Sequence, residues 1–497
     1  MDPVTLQVML GALRAACDEM GVVLIRSAHS SNIKERKDAS TALFDPDGQM
    51  VMQAEHIPVH LGAMPSAVAA VLGEDHADGD AWILNDPYRG GTHLPDITAI
   101  SPVFAGGELA GFAASRAHHA DVGGRIPGSM PADSTTLEDE GVVIGPTRLV
   151  RGGELDRAKL DELTSRMRGP RQRVADLRAQ LAANRAGARR MIEMIERYGI
   201  DTYREATSAT QEYAERRTRA AIEALGAGER SAADVLEARE GDLDLKLTAR
   251  IDGSDLTLDF TGSADAHEGN LNCPLSVTLS ACYFAVRVLA DPDVPPCAGA
   301  YRPVTVIAPE GSILNAGPPH AVVAGNVETS SRVADLVLAA FGRALGQGTM
   351  NNLTLGNDEF TYYETLGGGQ GACDDADGPS AVHVAMSNTL NTPIEALELE
   401  FPLRAVEYAV RRGSGGAGGH SGGNGIVREL EALTGMTYSL LTERRRNAPP
   451  GADGGEPGER GRNLLNGDEL EPKAAGTLAA GDRLRIETPG GGGHGRT

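Results

Sequence analysis

The chain has 497 residues, with 46 Lys and Arg against 69 Asp and Glu, and a formal net charge of −23. That length supplies large hydrophobic cores and about three domains. The acidic balance excludes nucleic-acid binding and docking on anionic membranes, since both need a basic face. Hydrophobic residues make up 41% of the chain, as in a folded soluble protein. No stretch reaches the roughly 18 apolar residues of a membrane span, and MDPVTLQVML lacks the basic-then-apolar layout of a signal peptide. Cys17, Cys273, Cys282, Cys297 and Cys373 form no CxxC pair, so reduced thiols in the cytoplasm are expected. The outlier is glycine: 62 residues, about 12% against a usual 7%, which demands many turns and close backbone approaches.

In chain order, residues 4 to 28 predict an amphipathic helix, because Leu6, Met9, Leu10, Leu13, Cys17 and Met20 share one face. From 40 to 125, short apolar runs alternate with turns such as Asp47-Gly48 and Gly106-Gly107, the punctuation of strands and hairpins. Residues 155 to 225 are charged and helical. Gly169-Pro170 breaks that run and starts a long helix whose apolar seam, from Val174 to Tyr198, packs on its own domain or on a partner. Period-two alternation at Leu243, Leu245, Leu247, Ala249 and Ile251, then Asp252-Gly253, predicts a hairpin over 240–262. Buried helices are expected at 275–290 and 330–345, and Gly-rich tracts follow from 366. The 445–462 segment (APPGADGGEPGERG at its centre) has the composition of a mobile loop. The fold class expected is α+β and multi-domain: mixed and antiparallel sheets, a helical segment in the middle and Gly-rich loops towards the C-terminus. Boundaries fall at 1–150 (N-terminal helix and metal-binding region), 151–230 (helical), 231–365 (hairpin and α/β) and 366–497 (Gly-rich β).

No GxxxxGK[ST], GxSxG or strand-GxGxxG-helix unit is present, so the chain holds no nucleotide through a P-loop of its own. Two His-x-x-Asp units stand out instead: His93 with Asp96 in NDPYRGGTHLPD, and His118, His119 and Asp121 in SRAHHADVGG. Asp38 and the pair His56 and His60 lie upstream. Any one such unit reads as a turn or surface pattern. Together, imidazoles and carboxylates suit a divalent ion such as Zn, Mn or Fe, and no nearby cysteine suggests a structural zinc. Asp121, Asp38 and one of His118 or His119 are the first-choice ligands, followed by His93, with Asp96 as ligand or orienter. A bound ion would activate water or polarise a carbonyl.

Three polar clusters are further candidates. Asp176, Gln180 and Asn184, four residues apart, form a helix stripe that reads first as a solvated face and second as a binder of amide or carboxylate. DFTGS with EGNLN reads as a strand end and an Asn-rich turn. In GNVETSSR, Asn326 and Glu328 precede a helix for which Thr329 or Ser330 is the simplest N-cap.

The segments IKERKDASTALFDPDG, HIPVHLGAMP, NDPYRGGTHLPDIT, RAHHADVGGRIPGSM, DLRAQLAAN, DFTGS, GNVETSSR, SGGAGGHSGGNG and TPGGGGHG together resemble the hydantoinase B/oxoprolinase family, from end to end. The resemblance implies the B-type subunit of an ATP-dependent cyclic amide hydrolase acting on hydantoin, 5-oxoproline or a lactam. An A-type ATPase subunit would bind ATP and phosphorylate the substrate, and this chain would hydrolyse it with a metal-activated water in a hetero-oligomer. It also implies metal ligands among Asp38, His93, Asp96, His118, His119 and Asp121, with His118, His119 and Asp121 catalytic. Asp176, Gln180, Asn184, Asn326 and Glu328 are carried as substrate-binding candidates. The alternatives are a ketone carboxylase component and a metal-stabilised scaffold without catalysis.

Overall fold

The computed structural model describes residues 1–55 and 57–497; His56 lies outside the described residues. The first unit is a seven-stranded sheet: β1 (Ala39–Phe44), β2 (Met50–Glu55), β3 (Ala81–Leu84), β4 (Asp96–Ala105), β5 (Glu108–His118), β6 (Thr147–Arg151) and β7 (Glu154–Leu155). Their order is β2-β1-β5-β4-β3-β6-β7, with every pairing antiparallel. Gly106 and Gly107, at φ 61° and 88°, close the β4–β5 hairpin in the doubly left-handed turn that matches strand twist.

The predicted first helix spans Pro3–Ser27, and the Asp2 carboxylate caps it by accepting the N–H groups of Val4 and Thr5. It lies with the helix Pro170–Tyr198 on one face of the sheet, where Met9, Leu13, Met20, Ala183 and Met191 form a single core with Leu43, Ala113 and Ala117. Gly187 is the crossing point, since a Cβ there would overlap the Met20 side chain. The helical stretch is therefore a layer on this sheet, and its last helix runs Ile200–Ala224. On the other face, Phe44, Trp82 and Phe112 pack with Val294 and Tyr301.

The second sheet holds the predicted hairpin as β9 (Gly241–Asp252) and β10 (Asp255–Asp259), between β8 (Gly228–Ala238) and β11 (Val304–Ile307). Its alternating Leu245, Leu247, Ala249 and Ile251 are buried against the helices Leu275–Leu289 and Ser330–Ala340. The second helix is shorter than 330–345, and its entry differs from the expected N-cap. A π-helical turn, Gly325–Thr329, runs straight into it, and the Thr329 hydroxyl donates to the carbonyl of Leu271 instead of capping.

Two antiparallel sheets complete the chain. One has the order β13-β12-β16-β19, with β12 (Asn352–Gly356), β13 (Thr361–Glu364), β16 (Met436–Leu441) and β19 (Lys473–Leu478). The other has the order β14-β15-β20-β17-β18, with β14 (Leu403–Arg411), β15 (Gly425–Ala432), β17 (Arg462–Leu465), β18 (Asp468–Glu469) and β20 (Arg483–Glu487).

Beside them the glycine tracts 367–371, 414–425 and 489–495 run side by side as extended backbone. Gly423 donates to Gln370, Gly491 to Gly423, and Gly416 to Gly491. A Cβ on Gly369, Gly422, Gly490 or Gly491 would overlap a neighbouring backbone atom, so only glycine fits. The 445–462 segment, expected to be mobile, is threaded into this bundle: Glu456 donates to Ala417, Glu459 to Ser414, and Gly493 to Glu456. Its backbone polar groups find partners in neighbouring tracts, a form of order that composition does not reveal.

Replacing Gly491 with alanine should lower stability by about 2 kcal/mol or more, since the backbone must separate to admit the methyl group. Gly11→Ala, in an open helical position with nothing within 4 Å, should instead stabilise by about 0.5–1 kcal/mol. Thermal melting of the two variants beside the parent checks both signs.

Candidate metal centre

The β4–β5 register builds the site. The first residue of β4, Asp96, pairs directly with the last residue of β5, His118. Paired residues project from the same face, so the hairpin sets carboxylate and imidazole side by side. His93 comes from the turn that enters β4, where the Asp96 N–H donates to the His93 carbonyl at 3.0 Å. The three donors converge: His93 Nε2 to Asp96 Oδ1 is 3.1 Å, His118 Nδ1 to Asp96 Oδ1 is 3.2 Å, and His93 Nε2 to His118 Nδ1 is 3.2 Å. All three residues are buried. Among the described residues, this is the group of His, Cys, Asp and Glu side chains close enough to share a cation.

The second Asp96 oxygen is committed elsewhere. Oδ2 accepts the Thr92 hydroxyl at 2.7 Å and lies 3.3 Å from His60 Nε2, while His60 Nδ1 contacts Ser40 Oγ at 2.9 Å. Burial would raise the Asp96 carboxyl, but the charge of His93 and the hydrogen bonds of His118, His60 and His93 hold it well below the usual carboxylate range. Burial pushes His118 down, favouring the neutral imidazole that a cation requires.

The donor set fits a divalent ion. Ligands about 2.1 Å from a cation stand roughly 3.0–3.4 Å apart, and the separations here match. Two imidazoles and one carboxylate on one side of an ion leave its other positions open for water or substrate.

The remaining sequence candidates are placed differently. Side chains at a strand end alternate in direction, so His119 faces away from His118 towards the long helix. There its Nε2 meets Gln180 Oε1 at 3.0 Å. Gln180 Nε2 donates to the carbonyls of Ile97 and Ser115, which assigns Oε1 as acceptor and His119 Nε2 as the protonated nitrogen. Burial lowers this imidazole to about 4.

Asp121 organises a loop. Its Oδ1 accepts the N–H groups of Gly123 (2.7 Å) and Arg168 (3.1 Å), and its Oδ2 accepts Gly128 N–H (2.8 Å) and the Arg168 guanidinium (3.2 Å). Asp38 is adjacent but outside the donor set. Its carbonyl accepts the His118 N–H at 3.1 Å, and its carboxylate favours charge on that imidazole.

The stripe Asp176, Gln180, Asn184 is fully buried, not a solvated face. Asp176 accepts the N–H groups of His29 and Ser30, and Asn184 donates to the carbonyl of Ala99. These bonds fasten the helix to β4, β5 and the 28–30 loop.

Asn326 and Glu328 are buried in the π-helical turn. Glu328 Oε1 accepts Met350 N–H and Asn352 Nδ2, while Glu328 Oε2 and Asn326 Oδ1 have no hydrogen-bond partner among the described residues. Burial, then the charge of Glu443, raises Glu328 to about 7.

Four contributors carried no clear sequence signal. Thr92 and His60 bind Asp96; His60 was visible only as part of a histidine cluster. Tyr363 stacks on His118 with ring centroids 4.6 Å apart and 11° between planes. Glu140 accepts Val322 N–H, Val323 N–H and the Ser134 hydroxyl in a fully buried position, and desolvation raises it to about 7.

The fold that carries this group of two histidines and a carboxylate is one found in known proteins. The chain belongs to the hydantoinase B/oxoprolinase family, whose profile matches residues 2–497. Among curated relatives, the 5-oxoprolinase of Dictyostelium discoideum is 39% identical over 100% of this chain and 40% of its own length. A putative B-type D-/L-hydantoinase subunit of a Pseudomonas species is 33% identical over 100% of this chain and 90% of its own length. The chain thus spans about two fifths of the 5-oxoprolinase relatives it matches. The solved ATP-dependent caprolactamase of Pseudomonas jessenii superposes with a TM-score of 0.93 at 29% identity, over 100% of this chain and 91% of that one. Nucleotide-free acetone carboxylase shares the fold, at a TM-score of 0.87 and 18% identity over 99% of this chain and 76% of that one. Among the described residues, no helix is long and apolar enough to cross a membrane.

Metal affinity and loop stability should respond to different aspartates. Asp96→Asn should abolish Mn²⁺ binding by the purified protein, whereas Asp121→Asn should retain it with a lowered melting temperature; metal titration with melting curves separates the two.

Glu140 sets a pH dependence. Its folded carboxyl sits near 7 against an ordinary 4.5, so between those values the folded state keeps a proton that the unfolded state has released. Stability therefore falls as pH rises through that window. Glu140→Gln removes this residue's share, leaving those of Glu328 and Asp335, and should gain up to about 3 kcal/mol on the parent between pH 4.5 and 8, read by denaturant unfolding at both.

Proposed function

We propose that this chain is the metal-dependent component of an ATP-dependent cyclic amide hydrolase. The observation that carries the reading is the buried His93–Asp96–His118 set in a chain of this family. The names of its relatives, 5-oxoprolinase, hydantoinase and caprolactamase, supply the substrate class: a ring closed by an amide. The B-type designation of the Pseudomonas relative implies a separate A-type subunit, and in the longer 5-oxoprolinases the matching region is two fifths of one polypeptide. ATP is assigned to that partner, because this chain carries no P-loop.

His93 Nε2, Asp96 Oδ1 and His118 Nδ1 would hold a divalent cation, which when bound lowers the pKa of water and polarises a carbonyl. The protein's own part is positional. Thr92 and His60 occupy Asp96 Oδ2, so Oδ1 alone faces the two imidazoles. Burial keeps His118 neutral and excludes bulk water. Asp38 adds negative charge close enough to favour charge on the same ring.

An amide is a poor electrophile, and phosphorylating its oxygen in the partner provides a leaving group before water attacks. Glu328 Oε2 and Asn326 Oδ1, buried without hydrogen-bond partners among the described residues, are the polar atoms proposed to meet substrate. Asp176, Gln180 and Asn184 act indirectly, by fixing the hairpin that carries the site.

Co-expression with an A-type subunit tests the reading. ATP-dependent ring opening of hydantoin, 5-oxoproline or a lactam is expected, and it should fall at least 100-fold in Asp96→Asn with ATP hydrolysis by the partner retained. ATP consumption that requires bicarbonate and a ketone would make the complex a carboxylase. Metal binding without turnover of any of these would leave a scaffold.

A further inference from the structure

We propose that Tyr363 is the positioning residue of the metal centre, and that its ring takes the place of the hydrogen bond that normally orients a ligating histidine. The inference rests on reading His93, Asp96 and His118 as ligands. A metal-bound imidazole usually donates its other nitrogen to a carboxylate, carbonyl or water, which fixes the ring plane. Here His118 Nδ1 faces Asp96 and His93, whereas Nε2 is buried with no hydrogen-bond partner among the described residues. Among the described residues, no protein donor or acceptor restrains the far edge of the ring. What lies against it is the Tyr363 ring, nearly parallel, at 4.6 Å. A stacked plane opposes rotation about the Cβ–Cγ bond of His118, the motion that would swing Nδ1 away from Asp96.

Tyr363 is itself immobilised from three sides. It lies in β13, paired with Thr354 of β12. Its hydroxyl donates to Asn352 Oδ1 at 2.6 Å, and Asn352 Nδ2 donates to Glu328 Oε1 at 3.0 Å. The Arg36 guanidinium stands 4.7 Å from the ring centroid and donates to the Tyr363 carbonyl at 3.1 Å. Arg36, Tyr363, Asn352 and Glu328 are all buried. Two distant elements are thereby tied to the site: the π-helical turn that carries Glu328, and the buried Arg36 two residues before Asp38. Through them a ring from the C-terminal half orients a ligand on the N-terminal sheet.

The test uses the purified full chain with Mn²⁺ or Co²⁺ alone, without substrate or partner. Tyr363→Leu, which removes the plane, should weaken Mn²⁺ binding about 10–100-fold and change the visible bands of bound Co²⁺. Tyr363→Phe keeps the plane and should bind Mn²⁺ within about threefold of the parent, with parental Co²⁺ bands. Tyr363→Met, similar in length and not planar, replaces the leucine variant if circular dichroism shows that variant unfolded, and the same values apply. Parental affinity and bands in the non-planar variant overturn the proposal. So does a phenylalanine variant as weak as the non-planar one, because the hydroxyl would then matter and the plane would not. A parent protein that binds neither ion overturns the metal reading itself.

Discussion

The site depends on one buried negative charge kept ionised. Asp96 sits where desolvation favours its neutral acid, and three imidazoles and a threonine hydroxyl reverse that preference. Without them the carboxyl would protonate, Oδ1 would lose its pull on His93 and His118, and three donors could not stay 3.1–3.2 Å apart. Meeting that requirement draws on distant parts of the chain. Thr92, His93 and Asp96 share one turn and strand, His118 ends the paired strand, and His60 arrives from a short 3₁₀ turn at Pro58–His60. Only a fixed hairpin register aligns them, since a slip of one residue would turn His119 or Ala117 to the carboxylate instead.

The arrangement explains the polar layer beneath the sheet. A hairpin that must hold register needs its back face secured, and amide side chains do this with direction as well as contact. Gln180 and Asn184 donate to carbonyls of β4 and β5 from the buried face of the helix. Each buried amide demands specific partners, so the helix has few alternative seatings. Asp176 applies the same logic to the loop that leads towards Asp38.

Much of this was legible in the residues. Period and punctuation placed the first helix, the long helix at Pro170, the Gly106-Gly107 turn and the 240–262 hairpin, because each depends on local spacing. His93, Asp96 and His118, which the structure brings together, were legible as candidate donors. The choice between His118 and His119 was not, because it depends on which side of the β5 end faces Asp96, and the sequence ranked Asp121 and Asp38 ahead of His93, whereas Gly123, Gly128 and Arg168 occupy the Asp121 oxygens. Tyr363 and His60 reach the site only through tertiary packing and leave no pattern beside the ligands. The 445–462 segment misled in the opposite way: a mobile composition is here the composition needed for backbones to touch.

The glycine bundle has a consequence for the order in which the chain assembles. Residues 489–495 lie between tracts made some 65 to 125 positions earlier, and β20 lies inside its sheet, between β15 and β17. Closure across such sequence separations comes late and slowly. On the ribosome the N-terminal sheet can form while the C-terminal half still lacks its central strand. The tracts 367–371 and 414–425 meanwhile wait with unpaired backbone groups, and chaperone engagement or premature proteolysis would act on that interval.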